Sequence, residues 1–126
     1  MTEIEITRPD DRVVSEADAT SGVIREQAFA SDDVWVGLVR TAPRRPSGWH
    51  HHGENETYFY VERGTLQMEF GANGARSVIA HPGDFVHVPA GLIHREVNPA
   101  DDAGVVLLVR VGSGQPVVNV DGPATA

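Results

Sequence analysis

The chain has 126 residues, no cysteine and a formal charge of −8. A single domain of this size can bury a core without covalent staples, and the lack of cysteine excludes disulfides, thiolate metal sites and a cysteine nucleophile. The acidic balance argues against nucleic acid, which needs a basic face, and against an anionic membrane surface.

The N-terminal stretch MTEIEITRPDD has neither the basic nor the apolar region of a secretory signal. No apolar run approaches the roughly 20 residues that cross a bilayer, so a soluble, cytoplasmic protein is expected. Glu3–Thr7 alternates polar and apolar residues, the period of a strand. Residues 15–27 are ambiguous: SEADATSG reads as loop, and Val23–Phe29 is a candidate strand. Val34–Thr41 is rich in β-formers. Then come Thr57–Glu62, Thr65–Phe70, Arg76–Ala80, Asp84–Val88, Ile93–Val97, Val105–Val111 and Val117–Val120. Turn formers separate them: APRRPSG, ERG, GANGA, HPGD, PAG, NPADDAG and GSGQP. Short strands at regular spacing between Gly/Pro turns predict an all-β sandwich or barrel. The whole chain, 1–126, reads as one domain with its core at about 30–112. Strands within 1–29 and the tail 121–126 are peripheral, the tail being expected to be mobile.

Three consecutive histidines stand in GWHHHGENETYFYVERG. Side chains two apart on an extended strand share a face. His50 and His52 therefore project together, and His51 points away. A His-x-His pair can give two imidazoles to one ion; the plainer reading is a polar loop. A second segment, GDFVHVPAGLIHREVN, turns at Gly83–Asp84, breaks at Pro89–Gly91 and starts a new strand near His94.

These two segments resemble the motifs of the cupin superfamily. Its second motif, G-x5-P-x-G-x2-H-x3-N, is matched by Gly83, Pro89, Gly91, His94 and Asn98. Its first motif, G-x5-H-x-H-x3,4-E-x6-G, is matched by His50, His52 and Gly64, while Arg44 stands where the leading glycine belongs. The resemblance implies a jelly-roll β-barrel of short antiparallel strands with one divalent transition metal inside. His50 and His52 would be first-motif ligands and His94 the second-motif ligand. Three neutral imidazoles suit Fe, Ni, Mn, Zn or Cu and leave coordination positions open.

The family's fourth ligand is a glutamate, and here the spacing is inconsistent. Counting from His52 selects Glu56; counting back from Gly64 selects Thr57. One residue reverses the face of a strand. An ungapped strand puts Thr57 inward and Glu56 toward solvent, whereas a local bulge would turn Glu56 inward as a ligand. With Thr57 inward, the site resembles three-histidine cupins such as thiol and diketone dioxygenases. It also carries less negative charge, which favours anionic substrates.

His87 shares a face with Phe85. If that face is the lumen, His87 is a candidate general base or a hydrogen-bonding partner of the site; otherwise it is a packed strand histidine. His81 lies in a turn. Trp35 reads as core, and Trp49 as a rim of the pocket mouth. Of Arg40, Arg95 and Arg110, one pointing inward could bind a substrate carboxylate, although surface pairing is commoner.

The function expected is a metal-dependent enzyme acting on a small molecule, dioxygenase-like in type. The alternatives are a metal-dependent isomerase or lyase, and a non-catalytic binder of a small ligand or metal. The resemblance also implies a homodimer, with Glu3–Thr7 as a strand able to pair with a neighbour's sheet edge.

Overall fold

The structure is a computed structural model that describes residues 3–14 and 19–125. Among these described residues there are twelve strands. These are β1 (Val13–Val14), β2 (Val23–Ala30), β3 (Val34–Thr41), β4 (Arg45–Pro46), β5 (His50–His51) and β6 (Glu56–Arg63). Next are β7 (Leu66–Phe70), β8 (Arg76–Ala80), β9 (Phe85–Val88), β10 (His94–Asn98), β11 (Gly104–Val111) and β12 (Val118–Asn119). They form two antiparallel sheets. One runs β1-β2-β3-β11-β6-β9, the other β12-β5-β10-β7-β8, and β4 also pairs with β10. This is the all-β jelly roll expected. Among the described residues, no helix is long and apolar enough to cross a membrane.

Period-two patterning explains the layering. In β6, Thr57, Phe59 and Val61 are buried while Tyr58 and Tyr60 are exposed. In β11, Val106, Leu108 and Arg110 are buried and Leu107 is exposed. The inward residues of both sheets meet in one core that includes Val39, Phe59, Val61, Leu66, Met68, Val88, Val106 and Leu108.

The motif residues have structural work of their own. Gly83 and Gly91 sit at φ +96° and +76°, a region that side chains with a Cβ avoid. Asn98 donates through Nδ2 to the carbonyls of Thr41 (3.2 Å) and Asp102 (2.7 Å). It thereby fixes the turn between β10 and β11, and with it the strand that carries His94.

Two expectations need correction. Glu3–Thr7 is not a strand: Ile4 is 96 % exposed, and Thr7 Oγ1 donates to the Ala28 carbonyl. Alternation alone does not make a strand without a face to bury, and the edge beside β2 is taken by Val13–Val14 instead. The described part of the tail is not free of the barrel: the Asn73 N–H donates to the Ala124 carbonyl at 2.6 Å. Of the ambiguous stretch, residues 15–18 lie outside the described residues, and Val23 onward is strand.

Candidate metal centre

His50 on β5 and His94 on β10 are cross-strand partners. Their rings lie 4.4 Å apart, centroid to centroid. His52, two residues past His50, enters from the same side, with centroids 5.2 Å from His50 and 5.1 Å from His94. One ring nitrogen from each of the three falls within 4.8 Å of the others. All three side chains are buried.

The orientation of each ring is fixed from behind. Nδ1 of His50 faces the Gly48 carbonyl (2.9 Å), Nδ1 of His52 that of Pro116 (2.9 Å), and Nδ1 of His94 that of Leu92 (2.8 Å). A carbonyl can only accept, so each Nδ1 carries the proton and donates. The lone pairs are then on Nε2. All three Nε2 atoms are buried and have no hydrogen-bond partner among the described residues. Buried polar atoms without partners are costly. Three of them converging, each held in the metal-binding tautomer by a backbone acceptor, form a donor set that a divalent transition metal fits.

A fourth polar group was missed in the sequence. Glu96 is buried, with Oε2 3.4 Å from His50 Nε2 and Oε1 3.6 Å from His94 Nε2. The Ser47 hydroxyl donates to Oε2 at 3.0 Å and accepts the Glu96 backbone N–H at 3.0 Å. The signal was available: Glu96 follows His94 by two residues, the same parity that joins His50 to His52.

Electrostatics follow from burial and charge. Burial, with His94, Arg110 and His50 nearby, lowers the pKa of His52 to about 2. Burial also opposes protonation of His94, but the Glu96 carboxylate outweighs it and raises His94 above its ordinary value. Burial opposes the charge on Glu96 as well, yet His50 and His94 hold that carboxyl well below the usual range.

Thr57 and Glu56 fall on opposite faces of β6. Thr57 is 0 % exposed, and its hydroxyl has no hydrogen-bond partner among the described residues. The Glu56 side chain is 40 % exposed. It accepts from His87 Nε2 at 2.6 Å and from the Ala90 backbone N–H at 2.9 Å. No bulge turns Glu56 inward, and its carboxylate is engaged outside the histidine cluster. His87 goes with it: the ring pairs across β6–β9 with Tyr58, stacks on it at 4.9 Å, and faces outward beside the exposed Phe85. The structure therefore brings His50, His52 and His94 together, and neither Glu56 nor His87.

The arginines divide. Arg40 pairs with Glu26 at 2.5 Å, and Arg95 pairs with Glu69 at 2.5 Å. Arg95 also covers Trp49, 4.6 Å from its ring centroid, so Trp49 packs under an ion pair instead of rimming the site. Arg110 alone of the three is buried, with its guanidinium 5.1 Å from the Trp35 ring centroid. Trp35 is more than core: its Nε1 donates to Gln27 Oε1 at 3.0 Å, and its ring carries Arg110. His51 accepts the Gly53 backbone N–H, and His81 is exposed in its turn.

A family model described as a cupin domain matches residues 37–110. No curated protein is a significant sequence relative of the chain. Among solved structures, the polyketide cyclase RemF from Streptomyces resistomycificus is similar at TM-score 0.74 and 18 % identity, covering 94 % of this chain and 86 % of that one. KdgF from Halomonas sp. is similar at TM-score 0.64 and 19 % identity, covering 86 % and 95 %. Oxalate decarboxylase from Bacillus subtilis, a protein with Mn(II) centres, is similar at TM-score 0.67 and 22 % identity, covering 82 % of this chain and 29 % of that one. At these identities the likeness is one of fold.

Proposed function

The chain belongs to the cupin family, and on that footing we propose that it is a metal-dependent enzyme acting on a small molecule, dioxygenase-like in type. One observation carries this reading: three buried Nε2 atoms converge, none with a hydrogen-bond partner among the described residues, and the Glu96 carboxylate stands 3.4–3.6 Å from two of them. His50, His52 and His94 would hold the ion, with Fe, Ni, Mn, Zn and Cu all compatible with imidazole donors. The Mn(II) centres of a protein of like fold support manganese as one candidate. A bound ion supplies Lewis acidity or oxygen activation.

The chain's own residues do the rest. The carbonyls of Gly48, Pro116 and Leu92 keep each ring in the donor tautomer. Ser47 orients Glu96 beside His50 and His94. Thr57, at the position where the family motif has glutamate, adds no carboxylate, and the acid beside the cluster is Glu96 instead.

A second reading, a metal-dependent isomerase or lyase, is favoured by Glu96. A carboxylate beside the cluster is placed to accept a proton from a bound substrate. Fold does not choose between these chemistries. The test is to load the protein with each ion and offer a panel of small carboxylates and carbonyl compounds in D2O. Oxygen consumption that disappears in His94→Ala supports the dioxygenase. Deuterium incorporation without oxygen consumption supports the isomerase or lyase. Binding without either reaction makes the protein a non-catalytic binder of small ligands.

A further inference from the structure

We propose that the outer face of the sheet β1-β2-β3-β11-β6-β9 docks on the same face of a second copy of the chain, giving a two-fold homodimer held back to back through β3, β11, β6 and β9. This is the side of the sheet turned away from the histidine cluster, and the inference does not depend on the metal reading.

An antiparallel sheet with one solvated face normally alternates apolar and polar residues along each strand. β11 breaks that pattern. Its inward side is Val106, Leu108 and Arg110, and its outward side is Leu107, Val109 and Val111. β3 breaks it too. Cross-strand pairing sets Leu38 beside Leu107 and Val36 beside Val109, so the outward side of β3 is aliphatic as well. Near-continuous apolar runs belong to strands that are covered on both faces. The barrel covers one face, and Leu107 and Val111 are left exposed on the other.

Aromatic side chains carry the face to its two sides. Tyr60 lies between Leu107 and Phe85, and Tyr58 between Val109 and His87. On the other side Phe29 of β2 pairs with Val36. Phe85 is 80 % exposed, Tyr58 45 %, Phe29 40 % and Tyr60 37 %. At about 200 Å² for a whole aromatic side chain, these four alone offer about 400 Å². That is half of the roughly 800 Å² that each partner gives to a stable interface, and the valines and leucines between them add more. The Tyr60 and Phe85 rings lie 5.0 Å apart, and Tyr58 stacks on His87. Contacts within the chain therefore already restrict these rings, which lowers the entropy cost of docking.

Charge selects the occupant. Glu26 pairs with Arg40 and Arg12, and Glu56 pairs with His87. Between these pairs the outward positions of β3, β6 and β11 hold only Val, Leu and Tyr. A charge-poor centre rich in aromatic residues inside a polar rim is the anatomy of a protein interface. A basic partner drawn by the chain's charge of −8 finds no acid at this centre, and an anionic membrane is repelled by that charge. A second copy meets neither obstacle. It brings an equally uncharged apolar sheet, and two sheets pack face to face about 10 Å apart. A two-fold axis makes such a face its own complement, and β3 and β11 then become buried on both sides.

The experiment measures the mass of the full chain by sedimentation velocity and light scattering at micromolar concentration. A particle of two 13.6 kDa chains is expected for the wild type. Leu107→Glu and Phe85→Glu each put a charge at an exposed point of the face. Each is expected to weaken association about a hundredfold, since a two-fold axis places every substitution in the interface twice. Both should stay folded by circular dichroism, because neither side chain belongs to the buried core. Tyr60→Arg takes the place of either one that does not fold. Ile4→Glu, in the exposed N-terminal segment outside the sheet, is expected to remain dimeric. A wild type that sediments as a single chain would overturn the proposal. So would a dimer that the folded face variants leave as tight as the wild type, or one that only Ile4→Glu dissociates.

Discussion

Oε2 of Glu96 lies 3.4 Å from Nε2 of His50, the nitrogen whose lone pair faces the centre of the histidine cluster. Glu96→Gln keeps the shape and removes the charge. Groups that orient or support metal ligands typically change affinity 10- to 100-fold when lost. A drop of about that size is expected for Glu96→Gln, measured by competition with a chromogenic chelator. An unchanged affinity would remove Glu96 from the site.

Glu56 is expected to behave differently. Glu56→Gln should leave metal stoichiometry unchanged, because its carboxylate bonds His87 and the Ala90 N–H. Those bonds, His87 first, lower the Glu56 pKa below its ordinary 4.5. A depressed carboxyl pKa adds stability that is present above the unfolded value and lost as pH falls through the folded one. The melting temperature of wild type should therefore exceed that of Glu56→Gln at pH 6, and the gap should narrow as pH falls below 4.5 and close once the carboxyl is protonated in the folded state. A gap that stays constant with pH would contradict the assignment.

Phe59 is buried at the centre of β6, beside the inward Thr57 and Val61. Phe59→Ala is expected to cost about 3–5 kcal/mol in urea unfolding, the sum of lost burial and the cavity left behind. A loss under about 1 kcal/mol would mean that the two sheets close over the gap.

Gly37 allows the Trp35 ring to lie along the inner face of β3. A Cβ at position 37 would stand 2.5 Å from Trp35 Cη2 and 2.3 Å from the Glu26 carbonyl oxygen. Gly37→Ala is expected to destabilise by roughly 1–3 kcal/mol, as overpacking does. It should also shift the tryptophan fluorescence, because the ring must leave its place over Gly37 and beneath Arg110. A variant of wild-type stability and spectrum would count against this packing.

The barrel was legible because its strands repeat a two-residue period between glycine and proline turns, and because the second motif is complete from Gly83 to Asn98. The three histidines were legible for the same reason: parity puts His50 with His52, and the motif adds His94. Glu56 and His87 were harder, since a strand's period says which residues share a face but not which face is the lumen. The answer came from β6, where Phe59 and Val61 are buried and take Thr57 with them. Glu96 was overlooked because the motif treats its position as variable, although its parity with His94 is plain. Glu3–Thr7 shows the opposite error, alternation with no core face for Ile4 and Ile6 to cover.

The central claim is that His50, His52 and His94 hold one metal ion. The most direct test is elemental analysis of untagged protein beside the His52→Ala, His94→Ala double variant. The prediction is close to one transition metal per chain in the wild type and none in the variant, with both chains folded by circular dichroism. No metal in the wild type, even after reconstitution with Mn, Fe, Ni, Zn and Cu in turn, would contradict it.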